Sequence, residues 1–256
     1  MAIVAVAGDM CTTTSVALAS AWPASSEALI VEADPSGGDL AAWFDLAMLP
    51  SLSTVVTSVF EASWAEIDRQ SRLARSGMRL IPAPPSAAEA RHAVIQSARS
   101  LAPALAALPS PVAIVDAGRP EAASFTHPLV ASAAVTVVVH HQRPQSARAA
   151  AVRLQRLADD VEAMSAAPAG LVVAVVGAEP FDFEQIEAFV CSSAAGTPVV
   201  GLPFDSLAAA VYGGRAGVSA RRLARLPLAR AARHLAYVVE RALDERVATA
   251  GGRSTR

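Results

Sequence analysis

The fold is decided by the segment Ile3-Val4-Ala5-Val6-Ala7-Gly8-Asp9-Met10-Cys11-Thr12-Thr13-Thr14. Its first five residues are uniformly apolar, and an alanine-rich stretch follows the threonines. A short, continuous apolar run is typical of a strand buried on both faces, as in a parallel sheet. The segment therefore predicts a first buried strand, a tight loop and a first helix.

The rest of the chain repeats this alternation of strands and helices. Further strands are predicted at Ala28–Val31, Met78–Ile81, Val112–Val115, Val135–Val139, Leu171–Val176 and Val199–Leu202. Helices are predicted at Thr13–Ala21, Ser86–Leu108, Gln145–Ser165, Phe183–Ser193 and Leu228–Ala248, and Ala41–Asp68 as helices over one sheet edge. We therefore expect one α/β domain over residues 1–250, with a doubly wound, mostly parallel sheet of about seven strands and helices on both faces. The segment 251–256 is expected to be a disordered tail.

Composition excludes several classes of protein. The 256 residues are 53% hydrophobic and 17% charged, with a net charge of −2, so a disordered chain is excluded. All 21 basic residues are arginine, which excludes mechanisms that need a lysine amine. The two cysteines, Cys11 and Cys191, have no spacing that suits zinc and indicate a reducing cytoplasm. No apolar run is long enough to span a membrane.

The loop after the first strand has the layout of a phosphate-binding loop. A glycine, Gly8, precedes Thr12, Thr13 and Thr14 at the start of a helix. In such loops successive N–H groups and a helix N-terminus surround an anion, and a hydroxyl at the helix start binds Mg²⁺. The same threonines are also good helix caps, so a purely structural role stays open.

Acidic residues follow two other predicted strands. Glu32 and Asp34 end the second strand, and their i, i+2 spacing directs both side chains the same way. Asp116 ends the apolar run Val112–Val115. At the carboxyl edge of a parallel sheet, these acids could hold a metal-bound water or polarise an attacking one. Alternatively, Glu32 and Asp34 cap the following turn.

Together these segments resemble the MinD/ParA family of P-loop ATPases, whose pattern is K-G-G-x-G-K-T-T, then D-x-D-P-x-G, then an apolar strand ending in Asp. The resemblance covers nearly the whole chain and includes Pro198–Pro203. It implies ATP and Mg²⁺ as cofactors. It assigns the Mg²⁺ site to Thr13, Glu32, Asp34 and Asp116, with Asp34 catalytic if the protein is active.

The loop departs from that pattern at four positions. The two lysines are replaced by Ala7 and Thr12, and two glycines by Asp9 and Cys11. Asp9 brings a negative charge to the phosphate-facing loop, and a like-charge contact at ~4 Å costs about 4 kcal/mol at an effective dielectric constant of ~20. The expected nucleotide site is formed by the loop with two arginines that stand in for lysine; its residues are Gly8, Asp9, Cys11, Thr12, Thr13, Thr14, Arg119 and Arg143. We expect ATP and Mg²⁺ to bind weakly or not at all.

Cys11 has two open interpretations. A thiol at a helix N-terminus can have a lowered pKa and be reactive, or the residue can simply fill a loop position.

The C-terminal part of the chain is rich in arginine. Six arginines occur without an intervening acid, at Arg215, Arg221, Arg222, Arg225, Arg230 and Arg233. In ParA-like proteins basic C-terminal residues contact DNA without sequence preference, which would make binding salt-dependent. A solvated helix face is the alternative.

These features lead to three hypotheses of function. The first is a catalytically degenerate MinD/ParA-like protein, resembling the atypical septum-site or Tad-pilus members. It would act in the cytoplasm as a localisation or scaffolding factor that binds protein partners, with a homodimer possible. The second is an active ATPase with a lysine-free loop that uses Arg119 or Arg143. The third is a DNA-binding module that uses the C-terminal arginines.

Overall fold

In the computed structural model the described residues are 2–23, 27–58, 64–107, 111–119, 128–143, 146–165 and 170–253. The strands are β1 (Ile3–Gly8), β2 (Ala28–Glu32), β3 (Arg72–Leu73), β4 (Arg79–Ile81), β5 (Val112–Asp116), β6 (Val135–His141), β7 (Gly170–Val176) and β8 (Val199–Leu202). The helices of the N-terminal half are α1 (Cys11–Ala21), α2 (Leu40–Trp43), α3 (Leu52–Ser58), α4 (Trp64–Gln70), α5 (Ala87–Arg99) and α6 (Leu101–Ala107). Those of the C-terminal half are α7 (Pro128–Ala131), α8 (Ala147–Ser165), α9 (Phe183–Ser193), α10 (Ser206–Tyr212), α11 (Ala220–Leu223) and α12 (Pro227–Arg253).

The strands form one eight-stranded sheet in the order β3-β4-β2-β5-β1-β6-β7-β8. All neighbouring pairs are parallel except β3 and β4, which pair antiparallel. One buried cluster joins a face of the sheet to α3, α5, α6, α8 and α9, and a second joins the opposite face to α1, α10 and α12. The doubly wound α/β fold with helices on both faces is therefore confirmed.

The structure adds one strand and the short helices α7, α10 and α11 to the predicted elements, and it divides one predicted helix in two. The sheet has eight strands because the two-residue strand β3 pairs with the edge of β4. The helix predicted at Ser86–Leu108 is divided into α5 and α6 at Ser100. The reason is Pro103, which has no N–H to donate and whose ring would clash with the carbonyl of Arg99 in a continuous helix.

Helix α12 includes residues 251–253, the first three of the predicted tail, and residues 254–256 lie outside the described part of the chain. Within that part, no helix is both long enough and apolar enough to cross a membrane.

Candidate functional site

Three strand ends bring the predicted site residues to one edge of the sheet. In the register of the sheet, Asp116 of β5 is opposite Val6 of β1 and opposite Glu32 of β2. Gly8 ends β1, and Asp34 follows β2 by two residues. The topology therefore gathers the loop and the acids at the carboxyl edge, which is where ligands bind in doubly wound sheets.

The loop between β1 and α1 is held tightly by its neighbours. Gly8 has φ +118, and a Cβ at this position would lie 2.3 Å from the carbonyl oxygen of Val139, so only glycine fits here. The Gly8 N–H donates to the Gly118 carbonyl at 3.0 Å, and the Asp9 N–H donates to the Val139 carbonyl at 3.0 Å. Both N–H groups are thus engaged with the backbone of neighbouring segments, the turn after β5 and strand β6, and are not directed to a ligand. Met10 then takes the left-handed conformation, with φ 56, before the helix begins.

The three threonines have different surroundings. Thr14 is buried, and its hydroxyl donates to the Met10 carbonyl at 3.0 Å, so it stabilises the first turn of α1. The Thr12 hydroxyl interacts with the carboxyl of Asp116 and favours its charged form. Thr13 and Thr14 line a groove that Phe204 and Asp205 also line.

The charge that Asp9 adds to the loop is matched by arginines. Arg119, in the turn after β5, donates to Asp9 Oδ1 at 2.8 Å, and Arg153 of α8 donates to Oδ2. Burial alone would raise the pKa of Asp9, but the charges of Arg153, Arg119 and Arg143 outweigh this effect and lower the pKa below its ordinary value. Asp9 is therefore ionised at neutral pH, inside a cluster of positive charge.

Arg119 and Arg143 were the arginines predicted to replace lysine, and both lie near the loop. Arg119 is paired with Asp9, while the exposed Arg143 donates to Nδ1 of His141 at 3.3 Å. Arg153 was missed by the sequence analysis, although it is the more buried partner of Asp9, with a side chain 24% exposed against 69% for Arg119. The available signal was the uncompensated acid in the loop, which demands a nearby cation.

Glu32 holds the end of β2 to two neighbouring segments. Its Oε1 accepts the N–H groups of Asp39 at 2.8 Å and Leu40 at 2.9 Å, and its Oε2 accepts the N–H of Ala83 at 2.8 Å. Burial raises the pKa of Glu32 to about 7, although the three donated hydrogen bonds act in the opposite direction. Both carboxylate oxygens are thus occupied by the backbone, which is the structural role left open above.

Asp34 lies against the turn after β5. Its Oδ1 accepts the Ser36 N–H at 2.7 Å, and a Cβ built on Gly118 would lie 2.4 Å from its Cγ. The carboxyl group is partly exposed and bounds the edge of the site between β2 and β5.

Asp116 is fully buried behind the loop. Burial raises its pKa to about 6, while interactions with Thr12, Cys11 and the Gly118 N–H lower it only in part. Its Oδ2 is buried and has no hydrogen-bond partner among the described residues. Burial, and then the charge of Asp116, raise the pKa of the Cys11 thiol well above its ordinary value, so Cys11 is not an activated thiolate.

The predicted magnesium ligands lie at neighbouring positions at the edge of the sheet, but their acidic side chains do not converge on one point. Among the described residues, no group of three or more His, Cys, Asp or Glu side chains could hold a metal ion. Glu32 is turned to the backbone and Asp116 lies beneath the loop, so only Asp34 and Thr13 have partly exposed side chains. The predicted metal site stays a prediction.

The six C-terminal arginines are all exposed, and in the chain they lie between the end of α10 and the first turns of α12. None takes part in an ion pair of the described part of the chain, and Arg233 donates to the Ala224 carbonyl at 3.0 Å. Gly214, next to Arg215, packs against the Trp43 carbonyl of α2. The ion pairs of Asp9 are formed by Arg119 and Arg153 and not by any of these six arginines.

Comparison with known proteins identifies the fold class. No protein-family model matches the chain, and no curated protein matches its sequence. Among solved structures, a ParA family ATPase from Chlorobium tepidum has a TM-score of 0.68 at 13% identity, covering 92% of this chain and 98% of the other. The MinC:MinD cell division complex of Aquifex aeolicus has a TM-score of 0.65 at 12% identity, covering 94% and 96%.

A third match comes from a different kind of protein. The cobyrinic acid a,c-diamide synthase of Mycobacterium smegmatis, with a bound ATP analogue and magnesium, has a TM-score of 0.58 at 19% identity, covering 94% and 95%. The chain therefore has the P-loop fold of the ParA and MinD ATPases. At these identities the likeness is one of fold, and a fold of this kind serves more than one chemistry.

Proposed function

We propose that the chain is a ParA/MinD-like protein that does not hydrolyse ATP and serves in the cytoplasm as a localisation or scaffolding factor. Its partners would be proteins of cell division, DNA partitioning or pilus and secretion assembly. One observation carries this proposal: the carboxylate of Asp9, on the phosphate-facing loop, is already paired with Arg119 and Arg153. The loop therefore satisfies its own charges without a ligand.

The residues of the loop do not fit a bound triphosphate with its magnesium ion. The chain has no lysine, and Arg119, which follows Asp116 at the end of β5, is engaged with Asp9. An entering triphosphate would meet the ionised Asp9, and each like-charge contact costs several kcal/mol at ~4 Å and an effective dielectric constant of ~20. The carboxylate oxygens of Glu32 are held by backbone N–H groups.

What remains intact is the frame around the loop. The eight-stranded sheet, the helices on both faces and the strand-end acids keep the layout of the ATPase fold. Among the structural neighbours, MinD is seen in complex with MinC, so this fold can present a surface to a protein partner. A protein that keeps the sheet and its helices but has a closed loop can still bind partner proteins on its surface, although it does not hydrolyse ATP. We further propose that it forms a homodimer without added nucleotide.

Turnover is tested with isothermal titration of ATP·Mg²⁺ and with phosphate release from the purified protein. We expect no heat of binding at micromolar concentrations and a rate of phosphate release equal to the buffer background. Thr13→Ala and Asp34→Ala should leave this background unchanged. Micromolar binding together with hydrolysis that these variants abolish would overturn the proposal and establish the lysine-free ATPase instead.

The exposed arginines favour a second candidate function, sequence-independent DNA binding. All six are exposed, and none forms an ion pair with another described residue. Binding to phosphates by counterion release weakens steeply with salt. Fluorescence anisotropy with a duplex should then show affinity that falls with added salt, and a shallower fall for Arg221→Ala/Arg222→Ala. No binding at low salt, or binding that ignores salt, counts against this candidate.

A further inference from the structure

Asp9 is held by two arginines that come from distant parts of the chain. Arg119 follows β5 and binds Oδ1, while Arg153 lies in the first half of α8 and binds Oδ2. The two guanidinium groups therefore divide the two oxygens of one carboxylate between them. Arg153 also donates to the His141 carbonyl at 3.2 Å, which anchors it to the end of β6.

This arrangement has the chemistry of an oxyanion site. Arginine presents several N–H donors in a planar fork that matches carboxylate and phosphate oxygens equally well. Arg143 contributes a third positive charge that acts on Asp9. In addition, Nε of Arg153 is buried and has no hydrogen-bond partner among the described residues. The arginines therefore retain the donors and the charge to bind an oxyanion once the Asp9 carboxylate, which they now hold, is removed.

The burial of Asp9 and Arg153 distinguishes their pairing from an ordinary surface ion pair, although Arg119, the other partner of Asp9, is 69% exposed. The Asp9 side chain is 14% exposed and that of Arg153 is 24% exposed. Exposed pairs contribute little because water and salt screen them, whereas a shielded and doubly bonded carboxylate is held more firmly. The pairing also links three segments that border the loop, namely the exits of β1, β5 and β6.

We propose that Asp9 is a built-in oxyanion: its carboxylate fills a site for a phosphate group formed by Arg119 and Arg153 and keeps the loop closed without a ligand. This inference rests on the proposed function, because it explains how the loop is stable in a protein that does not use ATP. When the carboxylate is removed, the two guanidinium groups become available and bind the oxygens of a phosphate group.

The test uses Asp9→Ala in the full chain, with inorganic tripolyphosphate as the probe. We expect tripolyphosphate to bind this variant at least about tenfold more tightly than the wild type and to raise its melting temperature by about 3 °C at saturating concentration. Asp9→Asn, which keeps the size of the side chain, serves as a second neutral variant. Glu162→Ala removes an exposed acid of α8 and should behave as the wild type.

A double variant tests whether the arginine pair forms the site. Asp9→Ala/Arg153→Gln should lose the gained affinity, because the more buried guanidinium is absent. ATP without Mg²⁺ is a parallel probe: binding of both anions to Asp9→Ala indicates a site that accepts a nucleotide's phosphates, and binding of tripolyphosphate alone indicates a site for the free anion. Both results support an oxyanion site.

Three outcomes would overturn the inference. The first is that the wild type and both neutral Asp9 variants bind tripolyphosphate with equal affinity. The second is that Glu162→Ala gains as much affinity as Asp9→Ala. The third is that the gain in affinity persists in Asp9→Ala/Arg153→Gln. If these occur while the wild type neither binds nor hydrolyses ATP, the inference fails and the proposed function stands. ATP hydrolysis by the wild type would instead refute the proposed function.

Discussion

Gly118 packs its backbone against the carboxyl group of Asp34, so closely that a Cβ at Gly118 would lie 2.4 Å from Cγ and 2.6 Å from each carboxylate oxygen. Gly118 also has φ +70, and its carbonyl accepts the N–H of Gly8 in the loop. One glycine therefore supports both the loop and the acidic side chain of Asp34 at the end of β2.

Replacement of Gly118 by alanine tests this contact. A left-handed backbone costs an alanine about 1–2 kcal/mol, and the overlap with Asp34 adds about 1–3 kcal/mol. We expect the free energy of unfolding, measured by urea denaturation, to fall by about 3 kcal/mol. Gly77→Ala is the matched control, because Gly77 has φ +84 and nothing within 4 Å of an added Cβ. Equal losses in the two variants would contradict the close packing against Asp34.

Glu32 provides a second test, which separates a structural role from a ligand role. Glu32→Ala leaves the N–H groups of Asp39, Leu40 and Ala83 without their acceptor, and an unsatisfied buried donor costs about 1–3 kcal/mol. We expect a loss of about 3 kcal/mol or more in the absence of any added ligand. Glu187→Ala, an exposed position of α9, is the control and should change stability by less than about 0.5 kcal/mol.

A small effect of Glu32→Ala would mean that the carboxylate is dispensable to the fold. In that case Glu32 would be free to serve as a metal ligand, as the family resemblance implies.

Much of the fold was predictable from the sequence because the strands carry a strong local signal. Val135–Val139 and Leu171–Val176 are uniformly apolar runs, and uniform burial is what parallel strands require. Strand β3 gave no such signal, because Arg72 and Leu73 form two residues of an edge whose pairing depends on β4. A strand that exists only because a neighbouring strand pairs with it cannot be predicted from its own short sequence.

The site was predictable only in part, and for the same reason. Glu32, Asp34 and Asp116 were placed at the strand ends by their motifs, but burial and backbone contacts decide what each carboxyl group does. The pairing of Asp9 with Arg153 spans 144 residues, and neither residue belongs to a motif that names the other. Long-range charge pairing of this kind follows from the three-dimensional path of α8.

The buried acid Asp116 makes stability depend on pH. Its pKa in the folded protein is about 6, above its ordinary value, so the folded chain holds the proton more tightly than the unfolded chain. The free energy of unfolding is therefore highest below the unfolded pKa of about 3.9, falls as the pH rises, and reaches its low value above about pH 6. Glu32, whose pKa is raised to about 7, further lowers the free energy of unfolding as the pH rises to about 7.

Asp116→Asn should remove part of the fall in the free energy of unfolding that occurs as the pH rises. A shift of about two pKa units corresponds to about 3 kcal/mol, so the variant should be about 1–3 kcal/mol more stable than the wild type at pH 8. Near pH 4 the two proteins should differ little. Urea denaturation between pH 4 and pH 8 measures the slope, and Asp39→Asn, at an exposed acid, is the control. A slope that Asp116→Asn leaves unchanged would contradict the burial of the charge.

The two cysteines should differ sharply in their reactivity. Cys191 is exposed, whereas Cys11 is buried beside Asp116, and burial with that negative charge raises the pKa of the Cys11 thiol well above its ordinary value. Because the thiolate is the reactive form, iodoacetamide at pH 8 should modify one thiol in the native protein and two in denaturant, as counted by mass spectrometry. In Cys191→Ser the native protein should take up no label within the same time. Rapid labelling of Cys11 in this variant would mean that the loop opens to solvent far more readily than its contacts with Val139 and Gly118 allow.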